Sequence, residues 1–230
     1  DSNTQGDLGI SYKNKIINGN MVIDQRNAGA SVTGAVGIVY PVDRFQIVCA
    51  QASKLTGQQS STAPVGFSNS LIITSSSAYT VGSGEQFVIQ QRIEGFNTSD
   101  LGFGTANAKT VTLSFWVRSS LTGTFGGALG NGANDYGYPF TYTISAANTW
   151  EYKTITIAGA TSGTWIGATN GIGLMVRIGL GVGSSFSNTA GSWTSNANGV
   201  WSATGATSVV GTNGATFYIT GVQLETGTQA

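Results

Sequence analysis

The stretch TVTLSFWVRS, residues 110–119, puts Val111, Leu113, Phe115 and Val117 on one side of an extended backbone. Thr112, Ser114, Trp116 and Arg118 take the other side. A period of two held over this length predicts a β-strand with one face buried. Runs of this kind recur at 15–23, 44–50, 69–76, 85–93, 109–119, 139–146, 150–159, 171–180 and 215–225. They are rich in β-branched and aromatic residues, with Gly, Asn and Ser between them. No stretch carries a capped helical period beyond a weak turn at 97–101. About nine or ten such strands predict an all-β fold, an antiparallel β-sandwich.

The 34 glycines and three prolines are spread along the chain, so they read as turn punctuation and not as a low-complexity tract. Segments 50–66 and 181–213 are long, rich in Ser, Thr, Asn and Gly, and predicted as loops. The expected organisation is a lead-in over 1–14, one sandwich domain over 15–225 and a short tail over 226–230. The first residue is not Met, so the chain reads as a fragment or a processed product.

Charged residues make up only 9% of the chain, and ten basic residues balance ten acidic ones. That leaves no electrostatic drive toward nucleic acid or an anionic membrane. No apolar run is long enough for a membrane helix, so neither nucleic acid nor membrane insertion is expected. The sequence has no histidine, which removes Ser–His–Asp and Cys–His catalysis and the commonest metal ligand. Cys49, the only cysteine, lies within FQIVCA and reads as a small core residue. The carboxylates are scattered, and the chain is expected not to be an enzyme. GLGVGSSF at 179–186 resembles a phosphate loop only superficially, because no helix follows it; it reads as a strand exit. NGANDYG at 131–137 offers oxygen donors for calcium without the spaced acids of a known loop. A structural Ca²⁺ is therefore the one cofactor left open.

The aromatic side chains carry the most chemistry. An indole or phenol ring complements the C–H patch of a sugar and also anchors protein interfaces. Trp116 and Trp150 sit on or beside strands and read as structural. Tyr136, Tyr138, Trp165, Trp193 and Trp201 sit among small residues and are the candidates for glycan stacking or subunit contact.

KNKIINGNMVIDQRNAG followed by YPVDRFQIV resembles the opening of a jelly-roll module of tailed-bacteriophage tail-fibre and virion proteins. The match is carried by Asn14, Ile17, Asn18, Gly19, Met21, Gln25, Arg26, Asp43, Arg44 and Phe45. VTLSFWVRSSLTGTFGGAL, YTISAANTWEYKTITIAGATSGTW and TNGATFYITGVQLETGTQA resemble later blocks of the same family, in order. The resemblance implies an antiparallel jelly roll on the outside of a virion, at host adhesion, often trimeric. It brings no catalytic residues, and Asp43–Arg44 and Gln25–Arg26 read as structural. Three roles follow: an adhesion module for a host cell-surface glycan, a structural virion protein contacting its neighbours, or an accessory carbohydrate-binding module of a glycanase. The closing run at 215–225, after the Asn213–Gly214 turn, reads as a central strand with a bulge at Gly221. Its expected neighbour is the run at 15–23.

Overall fold

The computed structural model describes residues 14–229. In chain order the strands are β1 (Val32–Thr33), β2 (Gly37–Val42), β3 (Phe45–Cys49), β4 (Leu55–Ser60) and β5 (Ser70–Ser75). Then come β6 (Gln86–Glu94), β7 (Val111–Ser119), β8 (Gly123–Asn131), β9 (Tyr136–Ile144) and β10 (Glu151–Ile157). The last are β11 (Ile172–Val182), β12 (Ser187–Asn188), β13 (Thr194–Ser195), β14 (Ser202–Ala203) and β15 (Thr216–Thr226). Two short 3₁₀ turns, Gly95–Asn97 and Ser99–Leu101, occupy the predicted weak turn.

Two antiparallel sheets face each other, ordered β1-β4-β5-β15-β7-β10 and β13-β9-β8-β11-β6-β3-β2. Only two hairpins between long strands, β4-β5 and β8-β9, stay within a sheet after β3; elsewhere the chain crosses between sheets. This is the jelly-roll sandwich. Alternation holds only in part: Val111, Leu113, Phe115 and Val117 are fully buried, and on the opposite face Trp116 and Arg118 are partly exposed while Thr112 and Ser114 are covered as well. The sheets are joined by an aromatic seam. Phe115 of β7 meets Tyr142 of β9 edge-on at 5.1 Å, and Tyr142 stacks on Phe125 of β8 at 5.8 Å. Phe125 in turn reaches Phe217 of β15 at 5.9 Å. Truncating such a buried ring costs about 3–5 kcal/mol.

Three expectations change. Segment 15–23 is no strand, because Asn18 and Met21 take positive φ of 60° and 58°. The Asn18 side chain closes this turn, accepting from Ile23 N and donating to the Ile23 and Asp43 carbonyls. The segment does lie beside the last strand, as expected. Lys15 N donates to Leu224 O, Val222 N donates to Gly19 O, and Asn14 Oδ1 accepts from Leu224 N. A Cβ on Gly19 would lie 2.1 Å from Val222 O, so only glycine permits this approach. Segment 50–66 is not all loop, since β4 runs through it. The glycine-rich GTFGGALGN, which the pattern did not mark, forms β8. Its glycines answer close approach: a Cβ on Gly127 would lie 2.3 Å from Arg177 O and 2.5 Å from the Phe140 ring.

β15 is central, with Gly221 at φ 59° and a register shift between Thr220 and Gln223. Phe67 covers the missing side chain there, 2.7 Å from where a Cβ would sit. Asp43 accepts from Gln25 N and pairs with Arg26 at 3.3 Å, and Arg44 grips Glu94 through two hydrogen bonds of 2.8 and 2.9 Å. The first set ties the 25–29 turn to the β2–β3 turn, and the second ties that turn to the end of β6.

Candidate functional site

Four of the five candidate aromatics converge at one rim of the sandwich. Tyr136 and Tyr138 stand on β9, not in a loop, on the same side as buried Phe140 and Tyr142. Trp193 comes from the long segment after β11, which β13 clips to β9 through Thr194↔Gly137 and Ser195↔Tyr136. That clip lays Trp193 parallel to Tyr136, with centroids 5.8 Å apart and planes at 10°. Trp193 also meets Tyr138 at 5.5 Å, Trp165 at 5.8 Å and Phe103 at 5.6 Å. Its indole N–H donates to Ala158 O at 2.7 Å. Trp193 is the hub of the cluster.

Trp165 comes from the turn after β10 and meets Phe103 edge-on at 4.9 Å. Gly104 and Gly163, with φ of 85° and 89°, lie under the rings of Trp165 and Tyr136, where a Cβ would come within 2.7 and 2.6 Å. On the far side of Phe103 and Trp165 opens a groove of about 290 Å³. Its walls are those two rings with Ile166 and Leu174, and its polar groups are the hydroxyls of Thr98, Ser99 and Thr105. Among the described residues no charged side chain lines it. Phe103 was missed by sequence reasoning, because FGT in a turn carries no period and only the fold brings it to Trp165.

Trp201 stands apart. It meets Phe186 at 5.9 Å and lies 3.9 Å from the guanidinium of Arg177, which is buried on the outer face of the second sheet. Trp116 and Trp150 pack on Tyr152 and Tyr218 on the outer face of the first sheet. A larger cavity of about 630 Å³ opens where the described residues begin, between 14–17 and 96–100, beside the Lys15–Asp100 ion pair.

Most of the described acids are engaged in holding loops. Arg44 holds Glu94 below the usual carboxylate range, and the Gly82 N–H does the same for Glu85 with help from Gln51 and Tyr79. Asp24 accepts from Asn27 N and Gly29 N, and Glu151 accepts from Ser145 N, Ala146 N and Lys153. Asn131 donates to Asp135 at 2.7 Å, closing the 131–137 turn. Among the described residues no three His, Cys, Asp or Glu side chains gather to hold a metal.

No family model and no curated protein matches this chain. Among solved structures it is similar to the enzymatically active domain of bacteriophage CBA120 tailspike protein 4, at 12% identity and a TM-score of 0.43. That alignment covers 94% of this chain and 22% of the tailspike chain, so this chain spans under a quarter of that length. It is also similar to a carbohydrate-binding module, CBM4, at 16% identity and a TM-score of 0.44, covering 92% of this chain and 99% of the other. A family 11 carbohydrate-binding module from Clostridium thermocellum, solved with a β-1,3-1,4-mixed-linked tetrasaccharide, aligns at 10% identity and a TM-score of 0.42. There the coverage is 86% of this chain and 100% of the module.

Proposed function

We propose that this chain is a non-catalytic glycan-binding module on the outer surface of a bacteriophage virion, and that it takes a sugar ring into the Phe103–Trp165 groove. The observation that carries the reading is the groove itself: two aromatic walls, three neutral hydroxyls and no charge. Ring faces match the axial C–H patch of a hexose, and the Ser99 hydroxyl exchanges hydrogen bonds with it, while Thr98 and Thr105, whose protons go to backbone carbonyls, offer acceptor lone pairs. Tyr136, Tyr138 and Trp193 support the wall from behind. A single shallow groove binds weakly, and repetition on a trimer supplies avidity. Placement on a virion is supported by the tail-fibre resemblance of 14–26 and 43–45. Non-catalytic action is supported by the lack of histidine and by acids already committed to loops.

The test is a glycan array and host-cell adhesion assay with the wild-type chain and Trp165→Ala. Binding that Trp165→Ala abolishes, in a folded variant, is the expected result. Retained binding sinks the groove.

A second reading, a structural virion protein acting by oligomerisation, is favoured by fully exposed Val65 and by Val36 and Phe96, which are more than half exposed. Sedimentation giving a trimer that buries these residues, with no glycan bound, would establish it instead.

A further inference from the structure

Four of the five arginines in this charge-poor chain, Arg26, Arg44, Arg92 and Arg177, gather on the outer face of the second sheet. One of them, Arg177, starts a hydrogen-bond relay that crosses four strands along the paired residues Gln46↔Gln90 and Gln90↔Arg177. Arg177 Nε donates to Gln90 Oε1 at 2.9 Å, and Gln90 Nε2 donates to Gln46 Oε1 at 2.8 Å. Gln46 Nε2 then donates to the Tyr40 hydroxyl at 2.6 Å. A guanidinium can only donate, so it fixes both amide orientations and the direction of the whole relay. Tyr40 ends it as an acceptor, and its own O–H is left to donate.

Tyr40 opens into a cavity of about 250 Å³ with Arg26, Arg44, Gln46, Arg92 and Glu94. Glu94 is occupied by Arg44, and Asp43 is beside Arg26. Arg92 has no carboxylate and no hydrogen-bond acceptor among the described residues, and its Nε is buried without a partner, as is Arg44 Nε. Burial first and the Arg92 charge second bring the Arg177 pKa down to about 9, so the two guanidinium groups sense each other across the outer face of this sheet. A donor without an acceptor is costly when buried, and the Arg92 guanidinium and the Tyr40 hydroxyl belong to side chains that line this one cavity.

We propose that this cavity binds the carboxylate of an acidic sugar residue, with Arg92 as the charged fork and the Tyr40 hydroxyl as a neutral donor beside it. A planar guanidinium matches a carboxylate in two-point geometry, and a cavity this small admits one sugar residue. The site is separate from the Phe103–Trp165 groove and does not depend on it.

The test is isothermal titration at low salt with a panel of galacturonate, glucuronate and sialic acid oligosaccharides. Neutral oligosaccharides, sodium acetate and sodium sulfate serve as comparison probes. Wild type is expected to bind at least one acidic oligosaccharide, with affinity falling as salt rises. Arg92→Gln should weaken it at least about tenfold, the scale of one charged hydrogen-bonding partner. Arg92→Lys should restore part of the loss, and Trp165→Ala should change it less than about twofold. Arg92→Gln removes no internal bond and should fold; Tyr40→Phe, with several-fold weaker binding, provides an independent check. No binding by any acidic oligosaccharide, equal binding by Arg92→Gln, or equal binding of sulfate alone would each overturn the proposal. Loss of neutral-sugar binding in Trp165→Ala bears on the groove only.

Discussion

Replacing Trp193 with alanine tests the account of the aromatic rim. Trp193 touches four rings with centroids 5.5–5.8 Å away and donates one hydrogen bond to Ala158 O. Each ring pair adds about 0.5–1.5 kcal/mol beyond burial, and pairs sharing one residue are not additive. Taking the low end for all four gives about 2 kcal/mol, and a partly exposed hydrogen bond adds about 0.5–1. Trp193→Ala should therefore cost at least about 3 kcal/mol, within the range for large-to-small ring substitutions, since the burial lost by this partly buried ring comes on top. With a urea m-value of about 3 kcal/mol/M, the unfolding midpoint should fall by about 1 M. Trp193→Phe keeps a ring and loses the indole N–H, so its loss should be about 1 kcal/mol. Urea unfolding followed by far-ultraviolet circular dichroism measures both. A Trp193→Ala midpoint within about 0.2 M of wild type, on the same m-value, would show that the hub does not hold the rim together.

Gly126→Ala should loosen the segment over β8, because its Cβ would lie 2.6 Å from Ser202 Oγ and 2.9 Å from Ala206 Cβ. The expected cost is about 1–3 kcal/mol, with faster limited proteolysis between 183 and 207. The Glu94 pKa is lowered by Arg44, so the pair's stability is present above the unfolded pKa near 4.5 and is lost as pH falls through the folded value. Wild type should lose more stability than Glu94→Gln between pH 5 and the acid limb in thermal melts. Burial pushes the Cys49 thiol up to about 11, so it should resist a thiol reagent at pH 8 in the native state and react fully in denaturant.

What could be read from the residues divides along physical lines. Strands with a polar and an apolar face, such as β7 and β10, announce themselves through alternation alone. β8 does not, because glycine normally signals a turn, and here it answers the Phe140 ring, Arg177 O and Ser202 instead. The run at 15–23 has the composition of a strand, yet Asn18 turns it with its own side chain and Gly19 presses it onto β15. The bulge at Gly221 was legible because the apolar phase slips there, from Phe217 and Ile219 to Val222 and Leu224. At the rim, Trp165 and Trp193 could be picked out as costly rings among small residues. Phe103 could not, since its role arises only when three separate turns meet. Trp201 was legible as a ring that something must cover, though not as the lid over Arg177. Nor could the Tyr40–Gln46–Gln90–Arg177 relay be foreseen, because it depends on the register of four strands.

Entry of a sugar into the Phe103–Trp165 groove can be watched residue by residue. The five indole N–H signals of the five tryptophans allow a direct measurement by two-dimensional ¹⁵N–¹H spectra, titrated with the best glycan from the array. With a sugar in the groove, the Trp165 signal should move most and saturate, Trp193 should follow weakly, and Trp116 and Trp150 should stay in place. A saturating titration in which Trp165 stays fixed while another indole moves would contradict it.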